Sequence, residues 1–265
     1  MAENAWLVFS MACFFQKELS SFALSSLEES KAMSFQNRFD EKYVLNTNSA
    51  LDFLKNIQND YSLLQINDNF IQSYRTIYFD TPNLHCFNLH HNKRSNRFKF
   101  RTRRYLSNGL IFNEIKQKLN TGKTIKFRKK RNEFLSEFDG EFKFWAEGKG
   151  YDTENLMPQL YVDFNRITLL NKYFPERVTV DFELKYEGNN ANIALNNMVI
   201  IELKRGSRSL RSISHDFFRK IHKIPSKFSK YAIGISLTHE KAKKNRFLPK
   251  IKSIAKAQIT IVNAD

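Results

Sequence analysis

The sequence predicts an α+β fold: an eight-stranded antiparallel β barrel enclosing a polar, cation-lined tunnel, with helices packed outside. Three observations predict it. Eight short β-type runs are punctuated by two longer segments of helical spacing. Within six of those runs, ionic side chains alternate with apolar ones, so each strand has a charged face and an apolar face. Across 265 residues, 43 Lys plus Arg stand against 27 Asp plus Glu, a formal net charge of +16 that calls for a polyanionic partner. Apolar content of 42%, with 25 Phe and 10 Tyr, is ample for a core and excludes disorder. Only 8 Gly and 5 Pro exclude collagen-like or linker-dominated architecture.

The elements follow in order. Residues 1–33 are expected to form an N-terminal amphipathic helical extension on the domain. Two other readings are a non-native leader ahead of a true start at Met33 and a weak membrane-surface anchor. The tunnel domain is expected over 34–240. Its strands are placed at 36–45, 75–79, 97–105, 111–118, 123–130, 160–168, 178–186 and 197–204. Leu51, Phe53, Leu54 and Ile57 recur at helical spacing in 48–61, with Asn48 or Ser49 as cap. A helical insertion is expected at 133–147, a helix at 212–221, and a basic peripheral tail at 241–265. Cys13 and Cys86 can supply neither a disulfide framework nor a four-ligand zinc site, so a reducing, cytoplasmic setting is expected. The longest apolar run, residues 5–15, falls short of the roughly 20 residues a membrane span needs. The opening Met-Ala-Glu-Asn lacks the basic region of a secretory signal.

What alternates inside the strands carries the functional argument. One face collects Arg38, Asp40 and Lys42; then Lys99, Arg101 and Arg103; Glu114, Lys116 and Lys118; Lys126 and Arg128; Arg177, Thr179 and Asp181; Glu202 and Lys204. A solvated outer face would alternate too, but it would mix in Ser, Thr, Asn and Gln. With Arg166 added, this face carries twelve cations and the four acids Asp40, Glu114, Asp181 and Glu202. Like charges 4 Å apart repel by about 4 kcal/mol at an effective dielectric near 20, so a threaded polyanion would relieve the cluster. The acids are either ion-pair partners or ligands of a divalent metal, the hard-cation companion of phosphate chains; Glu202 and Glu114 are the metal candidates.

RFDEKY at 38–43, YFDT at 78–81, KFRTR at 99–103, NEIKQK at 113–118, KFR at 126–128, RVTVD at 177–181, IELK at 201–204 and SKY at 229–231 stand in order along the chain. Together they resemble the catalytic domain of the vacuolar transporter chaperone (VTC) family, one of the triphosphate tunnel metalloenzymes, over residues 34–236. The resemblance implies an antiparallel tunnel that binds inorganic polyphosphate or pyrophosphate. It also implies synthesis of polyphosphate from ATP, or use of another triphosphate, with Mn²⁺ or Mg²⁺. Carried over by position, the phosphate-handling cations are Lys42, Arg101, Arg103, Lys116, Lys126, Arg166, Arg177 and Lys230, with Ser229 at the tunnel end and Glu202 as metal ligand. The alternation had selected all of these except Ser229 and Lys230, and it adds Arg38, Lys99, Lys118, Arg128 and Lys204 as phosphate binders. Phe164 departs from the family, which often has a phosphate-contacting Tyr there. With neither a phosphate-sensing helical domain nor membrane helices, the chain looks like the stand-alone bacterial form.

Two other functions fit the same lining. A metal-dependent triphosphatase would need a group to orient water, a task open to Glu114 or Asp40. A non-catalytic module would bind polyphosphate tightly and salt-sensitively without turnover. Nucleic acid is not expected, because the interleaved Phe residues lie on the opposite face, where they cannot stack on bases. His85, His90 and His91 are read as an exposed Asn-rich loop, and the run 126–131 as split between two faces. The tail lysines of 241–256 are read as solvated surface, with an anionic membrane surface or a membrane-protein partner as the other reading.

Overall fold

The computed structural model describes residues 11–33, 39–189, 191–207, 211–255 and 259–262. The order is α1 (Met11–Leu19), β1 (Ala23–Ser25), α2 (Leu27–Ala32), β2 (Phe39–Leu45), α3 (Thr47–Ile57), β3 (Tyr61–Leu64), β4 (Gln72–Asp80), α4 (His85–His91), β5 (Arg97–Tyr105), β6 (Ile111–Lys118), β7 (Thr124–Arg131), α5 (Gly140–Glu147), β8 (Met157–Asn171), β9 (Glu176–Gly188), β10 (Ala191–Leu195), β11 (Val199–Arg205), α6 (Ile213–Lys220), α7 (Lys230–Thr238), α8 (Leu248–Ala255) and β12 (Ile259–Val262). The class is α+β with a largely antiparallel sheet, as expected. All eight expected strands are present, joined by β1, β3, β10 and β12, so twelve strands pair among the described residues. β1 and β3, of 3 and 4 residues, are too short to show an alternation in sequence.

The chain forms two compact units, and β8 and β9 are long enough to contribute to both. The first comprises residues 1–71, 167–182 and 198–226. In it β11 pairs antiparallel with β2 on one side and β9 on the other, while β3 pairs with β8 and, in parallel, with β1. The inward residues Val178, Val180, Ile201, Leu203 and Tyr43 meet α1, α3 and α6 through Phe15, Phe53, Leu54 and Phe218, all 2% exposed or less. α1 is therefore core structure here: Phe15 lies 4.6 Å from Phe182, ring to ring. α3 is capped at Asn46, ahead of the expected Asn48 or Ser49: the Asn46 side chain accepts from Ser49 N at 2.8 Å.

The second unit comprises residues 72–166, 183–197 and 227–265. Its strands run β12-β10-β9-β8-β4-β5-β6-β7, a path with two edges in place of a fully laced ring. The β7 edge carries Lys126, Arg128, Lys129, Lys130 and Arg131, a charge load that blocks pairing with another chain. The apolar faces of β4, β5 and β6 put Ile77, Phe79, Phe100 and Ile115 against Phe142 and Ala146 of α5. The expected insertion helix at 133–147 shrinks to α5. Asp139, clamped by Arg131 at 2.7 Å, caps its first turn by accepting from Phe142 N at 3.2 Å.

Three expectations change in this unit. The histidine segment is helix α4, not a loop: buried Asp80 accepts from Thr81 N, Cys86 N and Phe87 N at 2.8–2.9 Å, and His91 is only 2% exposed. An Asn-rich sequence hid a helix because its organising carboxylate sits in the preceding strand. Part of the basic tail is ordered as α8 and β12, the latter pairing with β10. α7, not anticipated as a helix, is almost wholly buried and presses on the sheet at Gly234. A Cβ there would lie 2.5 Å from Leu160 Cδ2 and 2.7 Å from Tyr186 Cδ1. No helix among the described residues is long and apolar enough to cross a membrane.

Candidate functional site: two ionic sheet faces

Register turns strand parity into rows. Across β5, β6 and β7 the Cα partners are Arg97–Lys118–Thr124, Lys99–Lys116–Lys126, Arg101–Glu114–Arg128 and Arg103–Phe112–Lys130. One sheet face of the second unit therefore carries nine cations and one carboxylate. Like charges directly opposite one another are destabilising, and the second row sets three lysines side by side. Arg97 and Lys130, not singled out in the sequence, belong to this face by the same strand parity.

Glu114 is the hub. Its side chain is 2% exposed; Arg101 reaches it with Nε at 2.6 Å and Nη2 at 2.5 Å, Lys126 at 2.8 Å and Arg128 at 3.6 Å. Burial alone would raise its pKa, but Arg101, Arg103 and Lys126 override burial and hold the carboxyl well below the usual range. Burial pushes the Arg101 guanidinium down, and Glu114 with Tyr78 more than reverses this. Arg103 and Lys126 stay below their ordinary values, burial being the main cause in both. In these contacts Glu114 is the ion-pair partner of Arg101, Lys126 and Arg128.

The face continues onto β4 and β8, where neutral groups seat the arginines. Arg101 Nη1 donates to Tyr78 Oη at 3.2 Å, and Arg103 Nε to Thr76 Oγ1 at 3.0 Å. Arg128 donates to Tyr105 Oη at 2.8 Å and lies 3.4 Å above the Phe112 ring. α7 delivers Ser229 and Lys230 to the same face. Ser229 caps the helix by accepting from Ala232 N at 3.3 Å and also accepts from Lys99 Nζ at 2.9 Å. Lys230 Nζ stands 4.3 Å from the Phe164 ring centroid. Arg101, Arg103, Lys126, Arg128, Lys99, Lys116, Arg166, Ser229 and Lys230 are thus brought to one face of this unit. Lys118 instead donates to the Gly122 carbonyl in the hairpin turn.

The first unit has its own ionic face. Glu202 is opposite Lys42 on β2 and Thr179 on β9, and Lys204 is opposite Asp40 and Arg177. One Glu202 oxygen is 2.6 Å from Lys42 Nζ and the other 3.2 Å from Lys204 Nζ, with the carboxylate side chain 12% exposed. Asp181, 2% exposed, lies one diagonal step away. Arg177 donates to the backbone carbonyl of Ser30 and to that of Met33 at 3.5 Å, contacts that sequence spacing could not reveal. Arg38 lies outside the described residues.

The sequence matches the VTC domain over residues 37–239, most of the chain. The chain belongs to the VTC domain family. No curated protein matches it. Among solved structures it is similar to an adenylyl cyclase candidate from Hippeastrum described as having a dominant triphosphatase activity, at 13% identity and a TM-score of 0.47, covering 76% of this chain and 96% of that one. It is also similar to an adenylate cyclase candidate from Vibrio parahaemolyticus, at 11% identity and a TM-score of 0.43, covering 76% and 98%. Likenesses this distant assign no activity to a VTC domain.

The resemblance read in the sequence implies a divalent metal, and the two candidate carboxylates of this VTC domain differ in fitness for one. Both acids have each oxygen beside a cation, but the Glu114 side chain is 2% exposed against 12% for Glu202. Glu202 is partly exposed, and Asp181 beside it adds a second oxygen donor of the right type. No group of three His, Cys, Asp or Glu side chains converges among the described residues. A magnesium-type ion takes one or two carboxylates and completes its shell with water and substrate phosphate.

Proposed function

We propose that this VTC domain is a metal-dependent polyphosphate polymerase that transfers the γ-phosphate of ATP to a growing inorganic polyphosphate chain. The observation that carries the reading is the face of nine cations and one carboxylate, with like charges at opposing positions that a bound polyanion would relieve. In the second unit Arg101, Arg103, Lys116, Lys126 and Arg166 would hold phosphate oxygens, and in the first unit Lys42 and Arg177 would do so. Lys99, Lys118, Arg128, Ser229 and Lys230 in the second unit, and Lys204 in the first, would add further phosphate contacts. Glu202 would hold the divalent ion, which supplies charge neutralisation at the transferring phosphoryl group.

The rest follows from positioning. The cations align the terminal chain oxygen with the γ-phosphorus and stabilise the charge on the equatorial oxygens, so ADP leaves in line. An oxyanion nucleophile needs no protein base. That suits Glu114, whose proton affinity the surrounding cations hold down, leaving it a poor candidate to activate water. The protein acts on ATP and polyphosphate in the cytoplasm; nucleic acid has no role in this reading.

Incubation with ATP and Mn²⁺, followed by a gel that resolves chain length, tests it. A ladder of long polyphosphate is expected. Orthophosphate as the sole product would replace polymerase with triphosphatase, and tight binding without turnover under any metal would leave a binding module. Glu202→Gln should abolish turnover while the melting temperature holds; full turnover by this variant would remove Glu202 from the metal site.

A further inference from the structure

Within the ionic face of the second unit, two buried aromatic rings collect three cations from three different elements. Tyr74 of β4 and Phe164 of β8 are register partners. Their rings stack at 4.9 Å and 5°, and the two residues are 8% and 3% exposed. The Arg103 guanidinium, from β5, lies 5.4 Å from each ring centroid. Arg166, two residues along β8, lies 5.4 Å from each as well. Lys230, from the first turn of α7, places its ammonium 4.3 Å from the Phe164 centroid.

We propose that the stacked pair Tyr74 and Phe164 is a positioning platform that holds Arg103, Arg166 and Lys230 together for phosphate binding. The proposal rests on the reading of these cations as phosphate ligands. Three like charges would splay apart, and a ring face, negative through its quadrupole, attracts a cation within about 6 Å. The ring brings no net charge. A cation seated on it keeps its full attraction for an incoming polyanion, whereas a carboxylate such as Glu114 cancels part of it. Stacking also restricts the guanidinium planes, so less side-chain freedom is lost when the anion arrives. The Phe at 164 is then functional through its ring face, with no hydroxyl required.

The test is calorimetric titration of the full chain with inorganic triphosphate, alongside melting temperatures. Wild type should bind, Phe164→Leu should bind about tenfold more weakly, and Phe164→Tyr, which keeps the ring, should return to within about twofold. All three cations remain in Phe164→Leu, so its affinity should fall with salt at the wild-type slope. Tyr74→Leu reads the other half of the pair should Phe164→Leu fold poorly. Wild-type affinity in folded Phe164→Leu and Tyr74→Leu, or failure of Phe164→Tyr to rescue, overturns the platform while the phosphate site stands. No binding by wild type itself overturns the phosphate reading and the platform with it.

Discussion

Removing the charge of Glu114 while keeping its shape, as Glu114→Gln, should destabilise the ligand-free protein and strengthen its grip on a polyanion. Deleting one partner of a buried ion pair costs about 3–5 kcal/mol, because the other charge is left behind. Here Lys126 and Arg128, with side chains 49% and 39% exposed, can turn to water, and the penalty falls mainly on Arg101, 20% exposed. A loss of about 2–3 kcal/mol is expected after that discount, or a melting temperature lower by about 5–10 °C in a chain of this size. The folded pKa of Glu114 lies below its unfolded value, so its contribution is fully present above the unfolded value, about 4.3, and is lost as pH falls through the folded one. The gap between wild type and variant should therefore be flat from neutral pH down to about 4 and close only below it. Thermal melts in EDTA supply the assay, repeated with inorganic triphosphate, which should raise the melting temperature more in the variant than in wild type. Equal melting temperatures in EDTA, with a difference appearing only after Mn²⁺ is added, would refute the counter-ion argument and restore Glu114 as a metal ligand.

Two further substitutions probe the scaffold. Phe15→Ala should cost about 3–5 kcal/mol, since Phe15 is fully buried against Phe182; an unchanged melting temperature would show that the N-terminal segment is dispensable to the first unit. Gly234→Ala should cost about 1–3 kcal/mol by forcing α7 off buried Leu160 and Tyr186, and should weaken triphosphate binding by shifting Ser229 and Lys230; a variant matching wild type in both melting and titration would contradict this.

The sequence by itself determined which residues share a face, because side-chain direction in a strand has a period of two whatever the strand pairs with. That was enough to collect Lys99, Arg101, Arg103, Lys116, Lys126 and Arg128, to send Phe98, Phe100 and Phe127 to the other side, and to locate eight strands. Alternation could not separate Glu114 from Glu202, since both are acids among cations in similar strands, although the family resemblance singles out Glu202. Long-range register gives the physical difference, ringing one with Arg101, Lys126 and Arg128 and setting the other beside Lys42, Lys204 and Asp181. The same holds for Tyr74 and Phe164, 90 residues apart, and for the Lys99 contact with Ser229, 130 residues away. Local alternation is written in neighbouring residues; the partner of each charge is chosen by strand pairing and helix docking, which join segments distant in the chain.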